Sequence, residues 1–233
     1  MPISGKAREI TFPARRPLFY YVTGRLQLPV SSTTALLVCI RRALSWGVDF
    51  IQLREKDLPD YELLALTQKT VELALDTGCR ILVNGRLDIA LAGGAHGIHL
   101  PSGGPGITDL KQYLPKGFLV GSSVHSLREA RRAGDAGADY VLLSPIFHTS
   151  SKAGYGNPLG LRCLARACAA LNVPILGLGG IRRADVGRVL ETGAAGVAGI
   201  SLYQQDLESL TRDQYGRAAR EGFTASSASR RDK

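Results

Sequence analysis

The chain has 233 residues, 45% of them hydrophobic, and a formal net charge of +9. That length suits one domain with a sizeable core, and no apolar run reaches the length needed to cross a membrane. Residues 1–17 and 212–233 each carry +3 of the charge, which leaves a weakly basic body; this argues against a nucleic-acid surface, although a modest positive bias around a pocket suits phosphate esters.

Along the chain one phrase recurs four times. Gly47-Val48-Asp49-Phe50, Gly94-Ala95-His96-Gly97, Gly137-Ala138-Asp139-Tyr140 and Gly193-Ala194-Ala195-Gly196 each put a glycine after a helical pattern and before a short apolar run. Glycine takes the left-handed conformation of a helix C-terminus at little cost, and the apolar runs read as buried parallel strands. These runs predict strands over 50–53, 96–99, 140–143 and 196–199. Between them fall further runs over 19–23, 81–83, 118–121 and 174–177. A helix is expected over 61–75 with Leu64, Val71 and Leu75 on one side, and Ser126 with Glu129 forms a capping box that opens another. Parallel strands joined by helices give a doubly wound sheet or a closed barrel, and eight nearly equal units favour a single-domain TIM (β/α)8 barrel. The expected organisation is a basic extension over 1–17, the barrel over 18–210 and a charged, unstructured tail over 211–233.

Barrel active sites sit where strands end, so those positions are the ones to read. After the second strand, Gln52, Arg54 and Lys56 share one face and can meet phosphate or carboxylate, unless Glu55 takes them up in ion pairs. After the third, Asn84 precedes Gly85 and Arg86, either a polar contact or a plain turn. His99 reads best as a barrel-layer histidine bonded to a neighbour, and His96 lies on the stability side. After the fifth strand come Ser123 and His125. His125 stands just before the capping box, where the helix dipole favours the neutral imidazole that proton transfer requires. The loop after the sixth strand carries Thr149, Ser151 and Lys152, hydroxyls and a cation suited to a lid over an anion. After the seventh and eighth, Gly179-Gly180 and Ile200-Ser201 read as backbone phosphate cradles. Cys39, Cys79, Cys163 and Cys168 have no metal-ligand spacing and fit a reducing cytoplasm.

Together Gln52–Asp57, Gly121–Ser126, Ser144–Lys152 and Gly179-Gly180-Ile181 resemble the thiamine phosphate synthase/TenI family, over about residues 18–203. The resemblance implies a TIM barrel acting in thiamine biosynthesis on a thiazole phosphate; charge and hydropathy argue against a nucleic-acid or membrane partner, and a homodimer is left open. It implies that Gln52, Arg54, Lys56 and Asn84 contact a diphosphate and a pyrimidine. Ser123 stands beside the reacting pyrimidine, Thr149, Ser151 and Lys152 belong to the flexible loop, and Gly179, Gly180, Ile200 and Ser201 cradle the thiazole phosphate. The family's synthases join thiazole phosphate to hydroxymethylpyrimidine diphosphate, release diphosphate and use Mg²⁺.

Two departures stand out. Where those synthases carry metal-binding aspartates, this chain has Gly85 and Gly104. Asn84-Gly85-Arg86, His99–Ser102 and Ser123–Ser126 resemble instead the TenI branch, represented by a thiazole tautomerase that shifts a proton without metal or other cofactor and whose acid/base histidine matches His125. The sequence therefore favours a tautomerase. The alternative is a synthase with Mg²⁺ ligands elsewhere, such as Asp57 or Asp109, and a third reading is a non-catalytic binder of thiazole or thiamine phosphate.

Overall fold

A computed structural model describes residues 17–149 and 157–204. Residues 1–16 of the expected extension, residues 205–210 of the expected barrel, the tail over 211–233, and the site candidates Ser151 and Lys152 lie outside these residues. Eight strands alternate with eight helices: β1 Leu18–Val22, α1 Thr33–Ser45, β2 Phe50–Leu53, α2 Asp60–Ala74, β3 Arg80–Asn84, α3 Leu87–Ala92, β4 Gly97–Leu100, α4 Ile107–Lys111, β5 Leu119–Val124, α5 Leu127–Asp135, β6 Tyr140–Leu143, α6 Gly160–Ala170, β7 Ile175–Leu178, α7 Val186–Leu190, β8 Gly196–Gly199 and α8 Ser201–Gln204. All neighbours pair in parallel, and β1 closes on β8 through Leu18–Gly196 to Tyr21–Gly199, so the sheet is the closed barrel the repeats announce. Among the described residues no helix is long and apolar enough to cross a membrane.

The repeated phrase has a physical explanation in the fold. Gly47, Gly94, Gly137 and Gly193 all have positive φ, between 70° and 88°, as a helix-terminating turn requires. Two residues on, three of the four copies carry a side chain that accepts the backbone N–H at or near the start of the preceding strand. Asp49 takes that of Phe19 (2.9 Å), Asp139 that of Val120 (2.7 Å), and His96 Nδ1 that of Ile81 (3.0 Å). The fourth copy has Ala195, whose own N–H bonds to the Ile175 carbonyl.

Inside the barrel, Leu18, Tyr20, Phe50, Leu82, Leu119, Tyr140, Leu142 and Leu176 fill the space between the strands. Tyr20, Phe50 and Tyr140 pack ring on ring at centroid distances of 5.5–5.9 Å. Gly121 makes this possible, because a Cβ there would collide with the hydroxyl end of the Tyr140 ring.

Two sequence expectations need correcting. The strand expected over 118–121 runs on to Val124. Ser122 and Ser123 look like turn residues, but β6 supplies pairing partners for them, Val141 and Leu142. The buried face of α2 is Leu63, Leu66, Thr67, Thr70 and Ala74, while Leu75 is 74% exposed. The threonines read as polar in sequence, yet Thr67 and Thr70 return their hydroxyls to the Leu63 and Leu66 carbonyls and present their methyl side to the core.

Candidate active site

The carboxyl ends of the strands surround one cavity of about 1210 Å³. Every described site candidate lines it: Gln52, Arg54, Lys56, Asn84, Ser123, His125, Thr149, Gly179, Gly180, Ile200 and Ser201. Sequence reasoning missed Gln27, Ser102, His148 and Arg182, which line it too. Gln27 lies past the end of β1, in a loop with no motif in its sequence. Arg182 had a readable signal, a cation two residues beyond a glycine pair.

The strands present these groups in layers. Gln52, the third residue of β2, points inward, is almost fully buried and joins Asn84 across to β3 (Nε2 to Oδ1, 2.9 Å). Arg54 and Lys56 stand beyond the strand end. Glu55 does not pair with them; it turns the other way, where its carboxylate accepts the Arg25 N–H (3.0 and 3.2 Å) and the Thr23 hydroxyl. Burial, acting against those bonds, raises its pKa. Thr23 in turn accepts the Arg54 N–H (2.9 Å), which ties the loop carrying the cations to the end of β1.

His125 follows β5 directly, two residues before α5. Its backbone N–H donates to Glu129 Oε2 (2.8 Å), and the Ser126 hydroxyl accepts the Glu129 N–H (3.1 Å). The capping box is thus extended by one residue, and the glutamate secures the histidine backbone. The imidazole Nδ1 lies 2.7 Å from the Ser144 carbonyl oxygen. A carbonyl only accepts, so Nδ1 carries the proton and Nε2 is the basic nitrogen of the neutral ring. His99 is fully buried, as a barrel-layer histidine should be, and bonds to Tyr140 and Ser123.

On the opposite side, Gly179 and Gly180 have φ of 97° and 67°. The chain after β6 pairs onto this turn, with Phe147 N–H donating to the Gly179 carbonyl (2.9 Å) and Ile146 N–H to that of Leu178 (3.0 Å). A Cβ on Gly180 would meet the backbone of Phe147 and His148. That glycine is therefore needed to seat the β6 loop as well as for ligand approach, so a bulky substitution there disturbs both.

A magnesium ion bound by protein does not fit these residues. The described lining of the cavity contains no carboxylate, and Ser150–Gly156 contains none in sequence. Gly85 and Gly104 offer no ligand atoms. Asp57 is committed to the Arg25 guanidinium, and Asp109 sits in the first turn of α4 and is absent from the lining. Among the described residues no group of three or more His, Cys, Asp or Glu is placed to hold a metal.

Comparison with known proteins gives a consistent picture. The family described as thiamine monophosphate synthase matches residues 19–202. A thiamine-phosphate synthase of Methanoculleus marisnigri is 44% identical over 161 residues, covering 69% of this chain and 76% of the relative. One from Roseiflexus sp. is 37% identical over 211 residues, covering 90% and 88%. Among solved structures, thiamine phosphate pyrophosphorylase from Pyrococcus furiosus superimposes with a TM-score of 0.72 at 28% identity, covering 89% of this chain and 94% of that one.

Proposed function

The chain belongs to the thiamine phosphate synthase/TenI family of thiamine-biosynthesis enzymes, and on that premise we propose that it is a synthase, a transferase that joins a thiazole phosphate to hydroxymethylpyrimidine diphosphate and releases diphosphate. The observation that carries this reading is one cavity with two separate anion-receiving poles. Arg54 and Lys56 form a cationic pole beyond β2, and the Gly179-Gly180 and Ile200-Ser201 backbone, with Arg182 beside it, forms a second one at β7 and β8. A single small-molecule pocket commonly measures about 300–1,000 Å³, and the 1210 Å³ here leaves room for two phosphorylated substrates side by side. The relatives' names favour this alternative over the tautomerase that the sequence motifs alone suggested.

In this reading the thiazole phosphate rests on the glycine cradle. The pyrimidine meets Gln52, Asn84 and Ser123, with its diphosphate toward Arg54 and Lys56. Charge-assisted bonds from these two cations stabilise the negative charge that builds on the departing diphosphate. Thr149 lines the remaining side, and the family resemblance assigns Ser151 and Lys152 to the same loop. No step is assigned to a protein-bound metal.

One observation favours the tautomerase as a second reading. His125 directs a basic Nε2 from a ring whose other nitrogen is tied to a backbone carbonyl, the arrangement a proton-shifting catalyst needs, and both aspartate positions are glycine. The deciding experiment assays the full chain for thiamine phosphate formation, with and without Mg²⁺, and for aromatisation of carboxylated thiazole phosphate. Thiamine phosphate formation at enzymatic rates selects the synthase. Aromatisation alone, reduced about 10²–10⁴-fold in His125→Asn, selects the tautomerase. Tight ligand binding with no turnover in either assay selects the non-catalytic binder.

A further inference from the structure

Beneath the cavity floor, six side chains from six strands form one continuous hydrogen-bonded chain. Asn84 Oδ1 accepts from Gln52 Nε2 (2.9 Å), and Gln52 Oε1 accepts from the Tyr20 hydroxyl (3.0 Å). The Tyr20 oxygen lies 2.9 Å from that of Tyr140, the Tyr140 oxygen 3.0 Å from His99 Nδ1, and His99 Nε2 2.9 Å from Ser123 Oγ. Both ends, Asn84 and Ser123, line the cavity; Tyr20, Tyr140 and His99 are fully buried below it.

Given the Gln52 amide orientation, with Nε2 donating to Asn84 and Oε1 accepting from Tyr20, counting hydrogens fixes the direction of every further bond. Each hydroxyl has one hydrogen to give, and a neutral imidazole has one N–H. The Tyr20 hydrogen is used on Gln52, so Tyr140 donates to Tyr20. The Tyr140 hydrogen is then used, so His99 donates from Nδ1. His99 Nε2 is therefore an acceptor, and Ser123 donates inward to it. Burial holds both phenols well above their ordinary pKa, so the hydrogens remain in place at all working pH values. Any single bond turned round would set two hydrogens or two lone pairs face to face. With Gln52 Nε2 toward Asn84 and Oε1 toward Tyr20, the chain keeps this one sense from Asn84 to Ser123.

We propose that Tyr20, Tyr140 and His99 are positioning residues that fix Ser123 as a hydrogen-bond acceptor toward the ligand, and thereby select a heteroaromatic amine over its oxo counterpart. With its own proton turned inward, Ser123 Oγ meets the cavity with lone pairs, so the group opposite must donate. At the other end Asn84 has its oxygen engaged and offers N–H, so the ligand must accept there. The ligand assignment rests on the proposed function, in which the pyrimidine lies against Ser123; the proton sense of the chain does not.

The test has two arms, both on the full chain. In the first, titration calorimetry compares the amino and oxo forms of hydroxymethylpyrimidine phosphate. The parent is expected to prefer the amino form by about 10- to 100-fold, the penalty for leaving a buried polar group unpaired. Tyr140→Phe keeps the ring but cuts the chain and lets His99 take either tautomer, so the preference should fall to about threefold or less. Tyr20→Phe, which cuts one link earlier, should act in the same direction and serves if the first variant folds poorly. A purely structural role would weaken both forms equally, and an unchanged ratio in both variants overturns the proposal. In the second arm, ¹⁵N NMR of histidine-labelled protein reads the His99 tautomer directly. The Nδ1–H form is expected in the parent, with the Nε2–H form appearing in Tyr140→Phe. An Nε2–H parent overturns the proposal. If the parent binds neither probe, the pyrimidine assignment fails, and the tautomer measurement alone decides the chain.

Discussion

Gly121→Ala puts the barrel interior under a sharp test. The added Cβ falls within contact distance of Tyr140 Cζ, Cε1 and hydroxyl oxygen. The ring has nowhere to go, because it is fully buried and the rings of Tyr20, Phe50 and His99 are centred 5.6, 5.9 and 5.7 Å away. Overfilling a packed core costs about 1–3 kcal/mol. If the ring slides instead, its hydroxyl leaves Tyr20 and His99, and a stranded buried donor costs about 1–3 kcal/mol more. Replacing glycine within a strand returns about 0.5–1 kcal/mol. The net loss is about 1–5 kcal/mol, which for a domain of this size lowers Tm by about 2–20 °C. Thermal and urea unfolding of the parent, Gly121→Ala, Tyr140→Ala and the double variant measure it. The clash needs both the methyl group and the ring, so the double variant should be more stable than additivity allows by about 1 kcal/mol or more. A Gly121→Ala protein melting within about 2 °C of the parent, or strict additivity, would refute the packing argument.

Two other expectations concern charge. His96 Nδ1 must stay unprotonated to accept the Ile81 N–H, and burial, with Arg80 nearby, lowers its pKa from 6.5. The unfolded chain therefore binds this proton more readily, so the stabilisation is complete above the unfolded pKa and is lost as pH falls through and below 6.5. His96→Asp copies the acceptor used at Asp49 and Asp139 and should flatten stability between about pH 7 and 5; an unchanged slope would assign the pH dependence elsewhere. Titrating the ligand-free protein with Mn²⁺, followed by electron paramagnetic resonance, should show no tight site, because hard cations need carboxylate ligands that the described lining lacks. Stoichiometric binding at micromolar metal would count against that reading of Gly85 and Gly104.

Much of this molecule is legible in its sequence because its signals are local. A positive-φ glycine before an apolar run specifies a turn and a strand without reference to anything distant, and four copies gave the barrel and the cavity rim. Ser123 and His125 were found by their place after a strand, although that strand proved longer than expected. What depended on distant partners was harder to read. Glu55 could be foreseen as a carboxylate beside two cations, but its turn toward Arg25 depends on the loop after β1. The line from Asn84 to Ser123 joins residues spread over six strands, and nothing in the local pattern around Tyr20 or Tyr140 distinguishes a phenol in a polar chain from one in an apolar core. Arg182 is marked in sequence only by its place two residues beyond the glycine pair.

The two rims of the barrel are built on different plans. At the amino end of the strands one part is used four times: the glycine turn, followed in three copies by a side chain that receives the backbone of the strand before it. At the carboxyl end the residues that line the cavity differ from loop to loop. Closure of the barrel and choice of ligand are therefore separate inheritances. A lineage can exchange an aspartate for a glycine, or a turn for a cation, along the working rim while the repeated rim continues to hold the strands in register. A chain whose loops mix the features of two branches of its family is a natural product of that separation.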